Sequence, residues 1–385
     1  MKKILFSLEN LQNLNMLYHG GGTYGINIIR LLLEDKNILE SIIVFYNSKK
    51  IITKELNEIL ENDLIKKLDE SSFQDTENFY DYINKNFDYI FTPIKEQKFS
   101  DSRIKIKTIT PIHDMRFFEI SPDISSLKLE KKIKDKIKKI FWILSKKYLI
   151  NYFRNKDKPQ KEDYIITVSE YSKYSILITY PYLDEKKIKV LNPLISKNII
   201  EDNEKIANLN DNYFLLICGN RWEKNALKVI KAYDELLNDF KSIDKKMLIA
   251  GVKNINLNLK NKEKFKFVDY VSEKELQILY KNTYCFIYPT LNEGFGYPPL
   301  EVMRYSKPVI ASAVTSIPEI YGNSVEYINP YSTYEIKNKI LYLLNNKEHY
   351  NLLIQKSKDY MQQLLIKQKE LREEYFNFFK MLVNS

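Results

Sequence analysis

Two carboxylates, Glu293 and Glu301, bracket the run Gly294-Phe295-Gly296-Tyr297-Pro298-Pro299-Leu300, directly after the apolar stretch Tyr284–Tyr288. Paired prolines are tolerated only in the first turn of a helix, where their missing N–H groups would be unbonded anyway, so they fix where a helix begins. Gly294 and Gly296 then sit at its mouth, where backbone N–H groups lack helical partners and can serve oxyanions or hydroxyls. Glu301 falls in the first turn and Glu293 just before the loop. Carboxylates accept paired hydrogen bonds from vicinal diols, which suits a sugar and a ribose. Glu301 taken alone is also a dipole-favoured helix acid.

A second run, Gly219-Asn220-Arg221-Trp222-Glu223-Lys224-Asn225, follows the buried stretch Tyr213–Cys218 and precedes a helical pattern over Ala226–Leu237. Cations at a helix amino end oppose the dipole, so a purely structural role is disfavoured. Arg221 can grip a diphosphate with a planar fork and Lys224 as a point charge. Near the amino end, Gly20, Gly21, Gly22 and Gly25 spell the dinucleotide spacing G-x-G-x-x-G. The loop does not follow its strand at once, and Tyr46, Asn47 and Ser48 stand where the ribose-binding acid belongs. What remains is a glycine loop opening a helix, with amides and a positive dipole end offered to a phosphate or sugar. Pro111-Ile112-His113-Asp114 closes a strand; His113 can contact a transferred group or serve structure. Asp-x-Asp, the paired-acid metal signature, occurs nowhere.

These motifs need elements to carry them. The 385 residues suit two or three domains. With 44% apolar and 13% aromatic residues the chain is not disordered, and no apolar run approaches the length of a bilayer span. Nine glycines are few for this length, and several stand at the ends of β-branched or aromatic runs, where a doubly wound α/β sheet receives ligands. The first half alternates strand and helix: strands over Lys3–Leu8, Ser41–Tyr46, Tyr89–Thr92, Ile104–Ile109, Ile165–Ser169 and Lys187–Leu191, with helices over Ile26–Leu33 and Glu55–Leu68. The second half repeats this with strands Tyr213–Cys218, Lys246–Ala250, Phe265–Val268, Tyr284–Tyr288, Pro308–Ser312 and Val325–Ile328, then a helical tail from Lys347 to Leu382. The fold class expected is α/β, with two parallel-sheet domains facing one another across a cleft. Domain bounds are expected at 1–192, 193–360 and 361–385, the boundary lying in the polar stretch from Lys197 to Asn212. Met1–Leu8 is too short for a signal-peptide core and reads as a first strand. Cys218 and Cys285 sit in apolar runs, which excludes a disulfide framework and favours a reducing cytoplasm.

The net charge of +10 is nearly matched by one segment: Ser125 to Lys158 holds twelve Lys or Arg and three acids. Leu129, Ile133, Ile137, Ile140, Leu144 and Tyr148 recur there every three or four residues, as in an amphipathic helix. A solvated helix packed on the core, a basic face lying on an anionic bilayer, and nucleic-acid binding all fit the pattern; no nucleic-acid motif accompanies the charge.

With these residues in hand, the chain resembles the family-four retaining glycosyltransferases of the GT-B fold. The likeness rests on the E-x7-E spacing of Glu293 and Glu301, Arg221 and Lys224 after Gly219, Pro-x-His-Asp at 111–114, Thr167-Val-Ser-Glu-Tyr-Ser-Lys173 and the amino-terminal glycines. It implies a nucleoside-diphosphate sugar bound mainly to the second domain, with Arg221 and Lys224 on the diphosphate and Glu301 on the ribose. Glu293 and the Gly294–Gly296 amides would take the donor sugar. Gly21, Gly22, Asn220, Tyr270, Val271, Phe295 and Tyr297 join the donor side, and His113 with Asp114 the acceptor side. The resemblance further implies transfer that retains anomeric configuration without metal or cofactor, onto a glycan or lipid-linked acceptor, in bacterial surface polysaccharide assembly. The tail helix would return to the first domain. A nucleotide-sugar epimerase of the same fold and a non-catalytic basic membrane adaptor are the competing readings.

Overall fold

The structure, a computed structural model, describes all residues except 13–19, 123, 131, 157, 161–162, 196–211, 220 and 254–256, together with the side chains of 125, 128 and 156. The chain divides into two units. The first comprises Met1–Met115, Arg154–Ser196 and Ile366–Ser385; the second comprises Arg116–Phe153 and Lys197–Leu365. Residues 116–153 therefore group with the second unit, whereas the sequence placed them within 1–192. The polar stretch expected to separate the domains lies largely outside the described residues.

The first unit carries a seven-stranded sheet, ordered β3-β2-β1-β4-β5-β6-β7. Its strands are β1 Ile4–Ser7, β2 Ile42–Tyr46, β3 Lys66–Asp69, β4 Tyr89–Phe91, β5 Lys107–Pro111, β6 Tyr164–Thr167 and β7 Ile188–Val190, all paired in parallel. Ile4 faces both Ile42 and Tyr89, so β1 is central and wholly buried. A strand covered on both faces reads as continuous apolar residues, which is why β1, β2 and β4 were legible. β3 was not. The expected helix over Glu55–Leu68 ends at Leu60, and Lys66–Asp69 adds an edge strand instead. An edge strand buries little, and its lysines keep the open edge from pairing with other chains, so it shows no apolar signal. The glycine cluster also differs from the expected loop: the helix starts at Gly20 and the glycines form its first turns. A Cβ on Gly25 would meet Pro93 Cβ at 2.6 Å, so that glycine serves close packing.

The second unit carries a six-stranded parallel sheet, ordered β10-β9-β8-β11-β12-β13. Its strands are β8 Tyr213–Ile217, β9 Met247–Ala250, β10 Phe265–Val268, β11 Thr283–Tyr288, β12 Val309–Ser312 and β13 Glu326–Ile328. Phe214, Leu216, Met247 and Ile249 form a core with Tyr233 of the helix Ala226–Asp239. The chain order reverses between β8 and β11, and such a switch point opens a crevice at the carboxyl edge. The last helix, Lys347–Asn384, begins in this unit, where Tyr350 stacks on Tyr284 at 4.5 Å. It ends in the first unit, where Phe379 packs on Phe91 and Lys2 N donates to Val383 O at 2.9 Å.

Residues Ile133–Lys156 form one basic helix. Its inner face places Trp142 against Phe117 and edge-on to Trp222. Most of the apolar positions that suggested packing on the core point outward; of the six, Leu129 alone is in the core of the second unit, and it precedes the helix.

Candidate functional site

Lys224 ends a short 3-10 turn, Trp222–Lys224, beyond β8. Its Nζ is buried and donates to Glu293 Oε1 at 2.5 Å and to the Tyr288 hydroxyl at 3.1 Å. Tyr288 is the last residue of β11, and Glu293 follows in the loop after it, so the two strands of the switch point deliver the pair. Thr290 Oγ1 donates to the same carboxylate oxygen at 2.9 Å. The Glu293 amide donates to Thr315 Oγ1 and its carbonyl accepts from Ser316 Oγ, which ties the loop to the end of β12.

Arg116 supplies a third cation that the sequence did not single out. Its Nη1 donates to Glu223 Oε1 at 2.8 Å, and its Nη2 lies 4.0 Å from Glu293 Oε2. Glu223 is buried, and its carbonyl accepts from the Leu291 amide. On the same short helix as Arg116, Glu119 accepts from the buried amide of Asn292. The signal available in sequence was position: Arg116 follows His113-Asp114 by two residues.

Electrostatics favours the ionised form of Glu293. Burial alone would raise the Glu293 carboxyl, but Lys224 and Arg116 outweigh it and hold the group at about 2. Burial pulls the Lys224 ammonium down from its ordinary value, and Arg221 and Arg116 add to this, while Glu293 opposes them. An ammonium has three N–H donors. Two are engaged, which leaves one uncommitted among the described residues.

The remaining residues of the second unit lie along the same sheet edge. Arg221 is partly exposed, with Nε 3.9 Å from Glu223 Oε1. Gly296 has φ +85°, a left-handed backbone that side chains resist, and a Cβ there would meet Ile317 Cδ1 at 2.5 Å. The helix Tyr297–Met303 begins after it with both prolines in the first turn. Phe295 is buried and rests on Tyr297, their rings 5.3 Å apart. Glu301 is not joined to the Lys224–Glu293 pair by any hydrogen bond or salt bridge among the described residues. It accepts from the Tyr280 hydroxyl at 2.9 Å, and burial raises its carboxyl. Tyr321 lies near both carboxylates; its hydroxyl donates to Gly296 O and accepts from the Leu300 amide. Gly294 sits in the loop between Glu293 and Phe295. Tyr270 and Val271 follow β10; Tyr270 is exposed, and neither contacts the Lys224–Glu293 group among the described residues. Asn220 lies outside the described residues.

In the first unit, His113 follows β5 and is half-buried, edge-on against Tyr24, 4.8 Å between ring centres. Burial lowers its imidazole, against the opposing charge of Asp114 and a backbone bond at Pro93. Its Nε2 has no hydrogen-bond partner among the described residues. A Cβ on Gly21 would lie 3.7 Å from that nitrogen, so the first turn of the glycine helix borders the imidazole. Gly22 is buried in the same turn, and Asp114 is half-buried beside His113.

Residues 198–360 match the family model described as "Glycosyl transferases group 1". The O-antigen chain mannosyltransferase RfbU of Salmonella typhimurium is 32% identical over 170 residues, covering 43% of this chain and 47% of that protein. The match thus spans about half the length of that relative. A glycosyltransferase from Rickettsia africae ESF-5 superposes with TM-score 0.66 at 17% identity, over 100% of this chain and 99% of the other. Anabaena HepE, solved with UDP and glucose, superposes with TM-score 0.62 at 13% identity, over 98% and 100% of the two chains. At such identities the likeness is one of fold. Residues 198–360 are thus similar to glycosyl transferases group 1, on a chain whose two parallel sheets have the GT-B fold.

Proposed function

We propose that this protein transfers a sugar from a nucleoside-diphosphate sugar to a glycan or lipid-linked acceptor in the assembly of a bacterial surface polysaccharide. The observation that carries the reading is the buried Lys224–Glu293 pair, with Arg116 beside it, at the switch point of the second sheet. The Salmonella relative is named an O-antigen chain mannosyltransferase and HepE was solved with UDP and glucose; both names fit this substrate class.

In this reading Arg221 and Lys224 hold the diphosphate, and Glu293 with the Gly294–Gly296 amides holds the donor sugar. Glu301 takes the ribose, and Arg116 positions Glu293. The bond from the anomeric carbon to the diphosphate oxygen breaks as the acceptor oxygen bonds to the same face, so configuration is retained. The acceptor proton passes to the departing phosphate oxygen. Fixed cations already in place stabilise the charge growing on that group without reorganising during the reaction. The transfer is proposed to need no metal. A cytoplasmic site of action is proposed as well, which suits two buried cysteines that form no disulfide.

A thermal-shift panel of nucleoside diphosphates, followed by turnover of the stabilising donor, tests the reading. A ligand bound to the folded state alone raises the midpoint. One base should raise it above the others, and the matching donor should be consumed only with acceptor present. Isomerised donor without acceptor would replace transferase with epimerase, and no shift with any diphosphate would leave an adaptor.

A further inference from the structure

The helix Ile133–Lys156 carries eight Lys or Arg residues and one acid. Ile133, Ile137, Phe141, Leu144 and Tyr148 on it are 61–81% exposed. Ile140 and Tyr152, at 43% and 47%, continue the same line. At 100° per residue these seven fall within an arc of roughly 120°. Lys136, Lys147 and Arg154 border that arc on one side, and Lys134 and Lys138 on the other, all exposed. The opposite face holds Trp142, against Phe117 and Trp222, and the buried Lys139, paired with Glu130.

Single exposed apolar side chains are ordinary, but a continuous stripe marks a contact surface. We propose that this face lies in the interfacial layer of an anionic bilayer, its apolar stripe entering the headgroup–acyl boundary and its lysines meeting lipid phosphates. Charge selects the occupant. Two copies of this helix would bring like charges together along about 36 Å of length. An anionic surface meets the lysine rims with opposite charge. A nucleic acid satisfies the cations but leaves the isoleucines and Leu144 in water, where they gain nothing. The surface stands apart from the transfer reading, since lipid binding needs no donor. Its inner face rests on Trp222, the neighbour of Arg221, so docking would hold the second unit with its candidate donor residues close to the bilayer.

The test is co-sedimentation of the full chain with vesicles of phosphatidylcholine alone or mixed with phosphatidylglycerol. The protein should pellet with the mixed vesicles, not with the neutral ones, and added salt should release it. Replacing Lys134, Lys136, Lys138 and Lys147 together with Gln should weaken binding by about a hundredfold or more, because each basic side chain near the surface adds to the affinity. The triple variant Ile137→Ser, Phe141→Ser, Leu144→Ser should lose binding with all lysines retained. Those side chains are exposed, so both variants should melt at the parent temperature, which separates lost docking from lost folding. Equal binding to neutral and mixed vesicles, or undiminished binding by the serine variant, would overturn the proposal. A concentration-dependent dimer that the serine substitutions abolish, in a parent that ignores both vesicles, would give the stripe to a second copy.

Discussion

Lys224 and Glu293, from the ends of two neighbouring strands, form a buried ion pair in which Nζ and Oε1 are 2.5 Å apart. Burying either charge alone is costly, and the pair persists because each offsets the other's desolvation. Lys224→Met should therefore destabilise the protein by about 3–5 kcal/mol. Adding Glu293→Gln should recover much of that stability, because no lone charge remains. Neither variant should turn over donor. Urea unfolding beside a donor-consumption assay separates the two effects; a single Lys224→Met variant with parental turnover would remove Lys224 from the site.

Arg116 engages Glu223 directly and approaches Glu293. If it fixes the carboxylate that meets the sugar, Arg116→Lys keeps the charge but loses the two-pronged grip. Turnover should fall by about a hundredfold, the cost of removing one group that serves the transition state. The loss should appear in kcat rather than in KM. A change in KM alone would make Arg116 a donor-binding residue without a part in the chemical step.

A second consequence of burial lies in the first unit. Ser7 Oγ donates to Glu96 Oε1, and burial, helped by the charge of Glu9, pushes the Glu96 carboxyl up to about 8 from an ordinary 4.5. The folded state then holds a proton that the unfolded state has released, so this group's contribution is full below pH 4.5 and is lost as pH rises toward 8. Glu96→Gln, neutral at every pH, should match the parent near pH 5 and melt at a higher temperature at pH 8. Parallel melting curves across that range would show that Glu96 does not titrate there.

The tail is testable by one core truncation. Phe379 is fully buried with its ring 5.6 Å from that of Phe91. Phe379→Ala should cost about 3–5 kcal/mol of unfolding free energy. The exposed Leu365, on the same helix, should cost less than about 0.5 kcal/mol when replaced by alanine. Equal effects at both positions would mean that the end of the helix does not hold the first unit together.

By itself the sequence determined the alternation of strands and helices, and the Gly296–Pro299 helix start, because burial on both faces and proline chemistry are written locally. It also marked Lys224 and Glu293 as chemical residues. Tertiary structure decided that they meet each other, since pairing across neighbouring strands has no fixed spacing along the chain. It brought Arg116 to Glu223 and Glu293, gave Glu301 to Tyr280, and turned Lys66–Asp69 into an edge strand whose charged residues carry no apolar period. It decided the basic helix as well. A period of three to four residues defines an apolar stripe, but it does not say which face meets the protein, and Trp142 with Phe117 holds the opposite one. Periodicity is a property of one element, whereas contact is a property of two.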